Sequence, residues 1–249
     1  MKQNHQEIGI GIIGSGRMGN LRSSISRSYG SIKYIGVSDK EVAKAKILGE
    51  KINADLISSN NEEIISNENV HAIIVSTSEP EHLDPVIQAL ERGKPVLVEK
   101  PIALSEDDAK KMIEVANKNN TTLHVGYTLR FNRHFLIGKQ QILDKKIGNI
   151  LSCVGRFYNS QRTGAEILKR SKHISFINDA LTYLVDLFGW YLEDKKPKEI
   201  IAKGHGKIYR RDGYDVDEIA AAIITYEDGT IVNLSMGYAL PKNYPSHGR

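Results

Sequence analysis

The 249-residue sequence has a single cysteine, Cys153, so no internal disulfide can form and a reducing compartment is the expectation. Thiol redox chemistry is set aside on the same ground. The eight histidines show no ligand spacing such as HxxxH, and with one cysteine most zinc arrangements are removed, so no metal is expected. Long apolar runs are missing too. Behind a polar start, Met1 to Glu7, the stretch Ile8 to Ile13 is broken by glycines and is too short for a signal peptide or a membrane span. The cytoplasm is therefore the expected location, with no membrane partner. Charge of one sign is not concentrated anywhere: 34 basic and 30 acidic residues mix along the chain to a net +4, which argues against a nucleic-acid partner. Internal repeats and low-complexity segments are absent as well.

What is present is an ordinary globular composition, 40% hydrophobic and 26% charged, in a chain long enough for two domains of roughly 100 to 150 residues. The first half alternates. A buried strand (Ile8 to Ile13), a glycine turn (Gly14 to Gly19) and a helix (Leu21 to Tyr29) are followed by a strand (Ile32 to Ser38), a helix (Glu41 to Ile52) and a short helix (Glu62 to Ser66). A strand from Ala72 to Val75, a helix from His82 to Arg92, a strand from Val96 to Val98, a helix opened by Ser105 and Asp108, and a strand from Leu123 to Val125 complete the pattern. Such alternation predicts an α/β fold with a doubly wound parallel sheet over residues 1–126. After Gly126 the pattern changes. A helix (His134 to Leu143), a strand (Ile150 to Tyr158), a helix (Phe176 to Phe188), a strand near Ile200, and two strands (Ile219 to Tyr226, Thr230 to Met236) around Asp228-Gly229 predict a second α/β domain over 127–249 with a mostly antiparallel, open sheet. The run Glu193 to Glu199 reads as a solvated loop.

Gly14-Ser15-Gly16-Arg17-Met18-Gly19 matches GxGxxG after a predicted strand and before a predicted helix, and Asp39 lies 20 residues beyond it at the end of the second strand. In that context Gly14 permits the turn, Gly16 lets the backbone approach a pyrophosphate, Gly19 lets helix and strand pack, and free amides at the helix start face the anion. The alternative is a turn that is merely tight. Asp39 would accept the adenosine ribose hydroxyls, and a 2′-phosphate there would cost about 1 to 4 kcal/mol per like-charge pair, which favours NAD over NADP. Lys40 works the other way, because its ammonium could receive that phosphate, so NADP stays open. Asp39 also reads as a plain turn or cap residue. Glu99-Lys100-Pro101 follows the strand Val96 to Val98, at the sheet edge where ligands of such folds bind, although Glu beside Lys is also a common surface pair.

The stretch Gly93 to Ala103 (GKPVLVEKPIA) resembles the signature of the Gfo/Idh/MocA oxidoreductase family, the glycine turn sits where that family has it, and Gly126 to Asn132 (GYTLRFN) resembles its crossover into the second domain. Ser76, Thr77 and His82 fit the family's cofactor loop. The resemblance runs from about Ile8 to the C-terminus. It implies an NAD(P)-dependent oxidoreductase acting on a secondary alcohol of a sugar, cyclitol or related polyol. The cofactor would be held on the first domain by the glycine turn, Asp39, Ser76, Thr77, His82, Glu99 and Lys100, with substrate between the nicotinamide and the second sheet. Asp179 and Asp186 match a family helix motif, but Leu181 and Tyr183 stand where the family has glycine and histidine, and Glu79 replaces its cofactor-loop asparagine. The resemblance also implies a homo-oligomer paired through the second sheet, and a longer chain, so residues 127–249 read as truncated.

Tyr183 changes the chemistry, because histidine titrates near neutral pH whereas an unperturbed tyrosine has a pKa of about 10. An ammonium within hydrogen-bonding reach lowers that by roughly 1 to 3 pH units, and Lys100 could supply it. The expected catalytic set is Lys100 as main proton-handling group, Tyr183 as acid/base partner and Asp179 as orienter. Tyr183 also reads as a core residue beside Leu184 and Leu187. Asp179 does not read as core, since an acid on an apolar face needs a partner, for which Lys100 or a substrate hydroxyl is the economical choice. Arg130, Asn132, Arg156 and Arg162 are candidate substrate-binding residues, or equally interface and surface residues. Two other readings stand beside this one. The first is a non-catalytic NAD(H) sensor. The second is a dehydrogenase of nucleotide-linked sugars or dihydrodiols, with the basic residues from Arg156 to Arg170 meeting the substrate.

Overall fold

The computed structural model describes residues 7–170 and 175–244, with Arg170 described by its backbone alone. The first six residues of the polar start, and the Arg170 side chain of the basic run, therefore lie outside the described residues. The chain divides into two compact units, Met1–Gly126 and Tyr127–Arg249.

Runs of Ile and Val without polar alternation make strands that must be covered on both faces, and the first unit provides both covers. Its elements in order are β1 (Ile8–Ile13), α1 (Arg17–Ser28), β2 (Ile32–Ser38), α2 (Val42–Ile52), β3 (Leu56–Ser58), α3 (Asn61–Ser66) and β4 (Ala72–Val75). Then come α4 (Leu83–Glu91), β5 (Val96–Val98), α5 (Glu106–Lys118) and β6 (Leu123–Val125). The strands form one parallel sheet in the order β3-β2-β1-β4-β5-β6. Neighbouring residues of one strand feed opposite cores. Ile13, Ile73 and Val75 pack with Ile64, Val86, Leu90 and Met112 from α3, α4 and α5, whereas Ile12, Val37 and Ile74 pack with Ala45, Leu48 and Ile52 from α2. Strand order reverses between β1 and β4, and that switch point opens the crevice used below. Ser105 caps α5 as expected, its Oγ accepting from the Asp108 amide at 3.1 Å.

The second unit contains α6 (Arg133–Leu143), β7 (Ser152–Ser160), α7 (Gln161–Arg170), a π-helical turn (Ile177–Leu181) running into α8 (Thr182–Tyr191), β8 (Pro197–His205), β9 (Ile219–Tyr226) and β10 (Ile231–Leu240). Its sheet has the order β7-β10-β9-β8, antiparallel except for the β10–β7 pair. One face carries Val232, Leu234, Met236 and Tyr238 against Phe176, Leu181, Leu184 and Phe188. Among the described residues the other face carries no helix, which is why β7 alternates between exposed and covered side chains.

Four local features depart from the sequence reading. β3 is only three residues long and carries too little pattern to detect. α7 was not foreseen because it contains Gly164, which packing demands: a Cβ there would lie 2.2 Å from the Tyr209 hydroxyl. β8 begins at Pro197, inside the run read as a loop, since proline is tolerated on an edge strand. β10 continues four residues past Met236, and Tyr238 is in that extension. Among the described residues no helix is long and apolar enough to cross a membrane, and no group of three or more His, Cys, Asp or Glu could hold a metal ion.

The β9–β10 hairpin turns at Gly229, whose φ of +87° lies in the left-handed region. Lys195 clamps it, its Nζ 2.7 Å from Asp228 Oδ2, 2.7 Å from Thr230 Oγ1 and 3.0 Å from the Ile150 carbonyl. The Lys195 ammonium, with two bonds from Thr230, draws the Asp228 pKa down to about 2. A folded value below the unfolded one, about 3.9, gives stability that is present above about pH 4 and lost as pH falls towards 2. We expect Asp228→Asn to melt below the unsubstituted chain at pH 7, and the gap in Tm to close between about pH 4 and 2; a gap that persists at pH 2 contradicts this account.

Candidate functional site

At the switch point the glycine turn is shaped by contacts that leave no room for side chains. Gly14 has a φ of +97°, and a Cβ on it would lie 2.7 Å from the Ser76 carbonyl and the Thr77 amide nitrogen on the neighbouring loop. A Cβ on Gly19 would lie 1.9 Å from the Gly14 carbonyl oxygen, so this residue lets α1 seat against the turn. Gly16 is different, because a Cβ there meets nothing within 4 Å. Packing does not require that glycine, whereas close approach of a ligand does. Gly16 is also the N-cap of α1 and makes no side-chain cap, so the amides of Arg17 and Met18 open the helix towards an anion. The Arg17 side chain is exposed and that of Met18 half-buried.

Asp39 takes the turn role read for it. Its Oδ2 accepts from the Ser15 amide at 2.8 Å and its Oδ1 from the Glu41 amide at 2.9 Å, so it is a turn residue and also the carboxylate bordering the glycine turn. Each oxygen keeps a lone pair for a hydroxyl donor. The buried hydroxyls of Ser15 and Ser76 have no hydrogen-bond partner among the described residues. Leaving such groups unpaired costs about 1 to 3 kcal/mol each, a penalty that a polar ligand in the crevice removes. Helix amides, a carboxylate and two unpaired hydroxyls together fit the pyrophosphate and ribose of a dinucleotide.

Around this cradle the other predicted residues divide. The Lys40 ammonium forms an ion pair with Glu81, which raises the lysine's pKa, so it does not stand ready for a phosphate. Thr77 Oγ1 donates to the Glu81 carbonyl at 3.2 Å. His82 is buried, and its Nδ1 lies 3.0 Å from the Pro101 carbonyl. A carbonyl only accepts, so Nδ1 bears the hydrogen, and His82 ties the start of α4 to the loop carrying Lys100. Glu99 is buried and receives Arg22 Nε at 2.7 Å. A Cβ on Gly126 would come 2.9 Å from Glu99 Oε2, so Glu99 serves as a structural anchor of this corner. Arg22 is a contributor that sequence reasoning missed, since nothing in helix α1 marks it apart from other exposed-looking basic residues. Lys100 is half-buried two residues after β5 and its peptide bond to Pro101 is cis.

In the second unit Asp179 is buried in the π-helical turn and accepts from the Tyr238 hydroxyl. The tyrosine is a partner that the sequence does not name: β10 runs past Met236 and brings Tyr238 beneath the helix, stacked on Phe176 with ring centroids 4.4 Å apart. Burial first, then the Asp179 charge, push the Tyr238 pKa well up, so it stays a donor, and Asn159 bonds it as well. Tyr183 stacks on Phe157 at 6.3 Å and meets the edge of Tyr127 at 6.2 Å. Asp179 and Tyr183 straddle the change from π to α geometry, so their four-residue spacing is not that of a plain α-helix.

Three of the four candidate substrate residues bond to groups of their own unit. Arg130 makes a bidentate pair with Asp186, at 2.8 and 2.6 Å, which locks the 3-10 turn Thr128–Phe131 to α8. Asn132 is the N-cap of α6, its Oδ1 accepting from the His134 amide at 3.0 Å. Arg156 lies on the bare face of β7, and Arg162 pairs with Glu166 at 3.2 Å on the exposed side of α7.

The family model described as "Oxidoreductase family, NAD-binding Rossmann fold" matches residues 8–127, and the GFO/IDH/MocA C-terminal domain model matches residues 135–249. The inositol 2-dehydrogenase of Salmonella typhimurium (strain LT2) is 27% identical over 196 residues, 78% of this chain and 56% of that protein. The 2,7-anhydro-N-acetylneuraminate hydratase of Mediterraneibacter gnavus is 30% identical over 159 residues, 64% of this chain and 40% of that protein. A crystal structure of scyllo-inositol dehydrogenase from Lactobacillus casei, with bound NAD(H) and scyllo-inositol, shares the fold at a TM-score of 0.85 and 22% identity, covering 95% of this chain and 71% of that one. The chain spans about half the length of the curated relatives it matches.

Gly16 and Gly19 separate folding from binding. Gly16→Ala should leave Tm within about 2 °C of the unsubstituted chain and weaken NADH binding by about tenfold or more, whereas Gly19→Ala should lower Tm, at a cost of about 1 to 3 kcal/mol for the forced shift. Equal NADH affinity of Gly16→Ala and the unsubstituted chain, by fluorescence titration, would remove the turn from the binding site.

Proposed function

The chain belongs to the Gfo/Idh/MocA oxidoreductase family, and from that membership we propose that it oxidises, reversibly, a secondary alcohol of a cyclitol or related polyol to the ketone. The observation that carries this reading is the dinucleotide cradle, in which the Asp39 carboxylate is bound to the Ser15 amide at 2.8 Å beside an uncapped helix start. When bound, the nicotinamide supplies the acceptor or donor of hydride at the alcohol carbon.

The chain's own residues hold, orient and move a proton. The amides after Gly16 bind the pyrophosphate, and Asp39 takes the adenosine ribose hydroxyls. Lys100, at the carboxyl end of β5, orients the reacting hydroxyl and handles its proton as the C–H bond gives up its electron pair. Asp179, oriented by the Tyr238 hydroxyl, accepts a substrate hydroxyl. Tyr183 stands where the family has its histidine and acts as acid/base partner. A cyclitol is the preferred substrate class because relatives with substantial coverage are named as inositol dehydrogenases. The lone cysteine supports a cytoplasmic setting.

Self-association through the second sheet is part of the same proposal. Register aligns Val154, Asn233, Ile223 and Ile201 in one row on the helix-free face. Val154 and Ile201 are 61% and 60% exposed there. A largely apolar row of this kind, broken by Asn233, fits a second copy of the same face.

Lys100→Met and Tyr183→Phe should each cut kcat by ~100-fold or more while NADH is still bound. Inositol isomers, other polyols, aldoses and nucleotide sugars, followed by NADH absorbance, form the screen. Turnover of none of them, with NADH bound tightly, would replace the enzyme by a non-catalytic NAD(H) sensor. For the assembly, Ile223→Lys should convert the oligomer to a monomer in sedimentation velocity; an unchanged sedimentation coefficient argues against the sheet as interface.

A further inference from the structure

We propose that Glu81 is a specificity-determining residue for the dinucleotide: its carboxylate holds the Lys40 ammonium and keeps the adenosine end closed to a 2′-phosphate. The inference rests on the dinucleotide-binding reading and concerns a side chain that no motif singles out. Lys40 follows Asp39 and lines an open polar depression of about 380 Å³ together with Asn60, Asn61, Glu62, Asp84 and Gln88, among others. That depression adjoins the ribose carboxylate, because the Asp39 amide bonds the Ser58 carbonyl at 3.3 Å and Ser38 Oγ donates to Asn61 at 2.8 Å. Lys40 is the one basic side chain among its lining residues.

Glu81 reaches Lys40 from a different loop. It ends the 3-10 turn Glu79–Glu81 after β4, and that turn is ordered by Glu81's own amide, 2.9 Å from the Ser78 carbonyl, and by Thr77 Oγ1 on the Glu81 carbonyl at 3.2 Å. The carboxylate is thus delivered to Lys40 by a held backbone. The pair is exposed, with the two side chains 69% and 41% accessible, so it adds little to folding stability and its loss leaves the unit intact.

Its effect is on local charge. Asp39 and Glu81 set two negative charges against one positive, and Asp84 adds another on the rim. A ribose hydroxyl is indifferent to that sum and finds its acceptor in Asp39, whereas a phosphate carrying nearly two negative charges is repelled. Without Glu81, the Lys40 ammonium is released, and Asp39 and Glu41 are the remaining carboxylates whose charge acts on it.

The test is fluorescence titration of NADH and NADPH into the unsubstituted chain, Glu81→Gln, and the double variant Lys40→Met with Glu81→Gln. Removal of one unit charge a few ångströms from a phosphate should raise the NADPH-to-NADH affinity ratio of Glu81→Gln by about fivefold to tenfold. The double variant should lose that gain, because the ammonium that receives the phosphate is gone. A ratio within about twofold of the unsubstituted chain for Glu81→Gln, with NADH still bound, overturns the role of Glu81 and leaves the dinucleotide reading standing. A gain that survives in the double variant overturns the role of Lys40 and with it the proposal. Failure of the unsubstituted chain to bind either nucleotide is a different result: it removes the dinucleotide reading itself, and this inference falls with it.

Discussion

A hydrogen bond of 2.8 Å from the Ser15 amide to the Asp39 carboxylate joins the ends of β1 and β2, and the binding surface of the first unit is organised around it. The bond is possible only because the turn is tight, and the turn is tight only because Gly14 has a positive φ and Gly19 yields to the Gly14 carbonyl. A side chain at either place pushes α1 away from the sheet. The helix amides would then no longer lie beside the Asp39 carboxylate. Gly14 and Gly19 are thus demanded by packing, and Gly16, with open space where its Cβ would be, by what approaches it.

Polar groups that packing leaves unpaired lie at this crevice. Ser15 and Ser76 bury hydroxyls without partners among the described residues, at the end of the sheet where strand order reverses. Several other buried polar groups have partners, since Glu99 receives Arg22, His82 Nδ1 donates to Pro101, and Lys139 donates to the Trp190 carbonyl at 2.7 Å, while His82 Nε2 and one Glu218 oxygen have none among the described residues. In the second unit the Asp179 carboxylate accepts from Tyr238, whose own pKa burial pushes up, so the tyrosine stays a donor. The π-helical turn there sets Asp179 and Tyr183 off the regular helical spacing, a distortion that recurs at functional helices.

The residues read as substrate contacts show why composition of a segment is a poor guide to side-chain employment. Arg130 is the kind of residue that binds an oxygen-rich ligand, and its fork is filled by Asp186, 56 positions away. Asn132 looked equally suitable and satisfies an amide of its own helix instead. Both outcomes follow from the strength of bidentate and capping bonds, which act within one unit whether or not a ligand is present.

Sequence by itself determined the parallel sheet of the first unit, the boundary chemistry at Gly126, the glycine turn with Asp39, and the place of Lys100 after β5. These are local: unbroken Ile/Val runs, fixed glycine spacing, and a strand end are each written within a few neighbouring residues. Only the tertiary structure decided that Arg22 anchors Glu99, that Tyr238 bonds Asp179, and that Glu81 takes Lys40. Those pairs lie 77, 59 and 41 positions apart. Their partners come from strands and helices brought together by burial, which selects for shape and hydrophobicity and carries no short-range signature of which polar tips will meet.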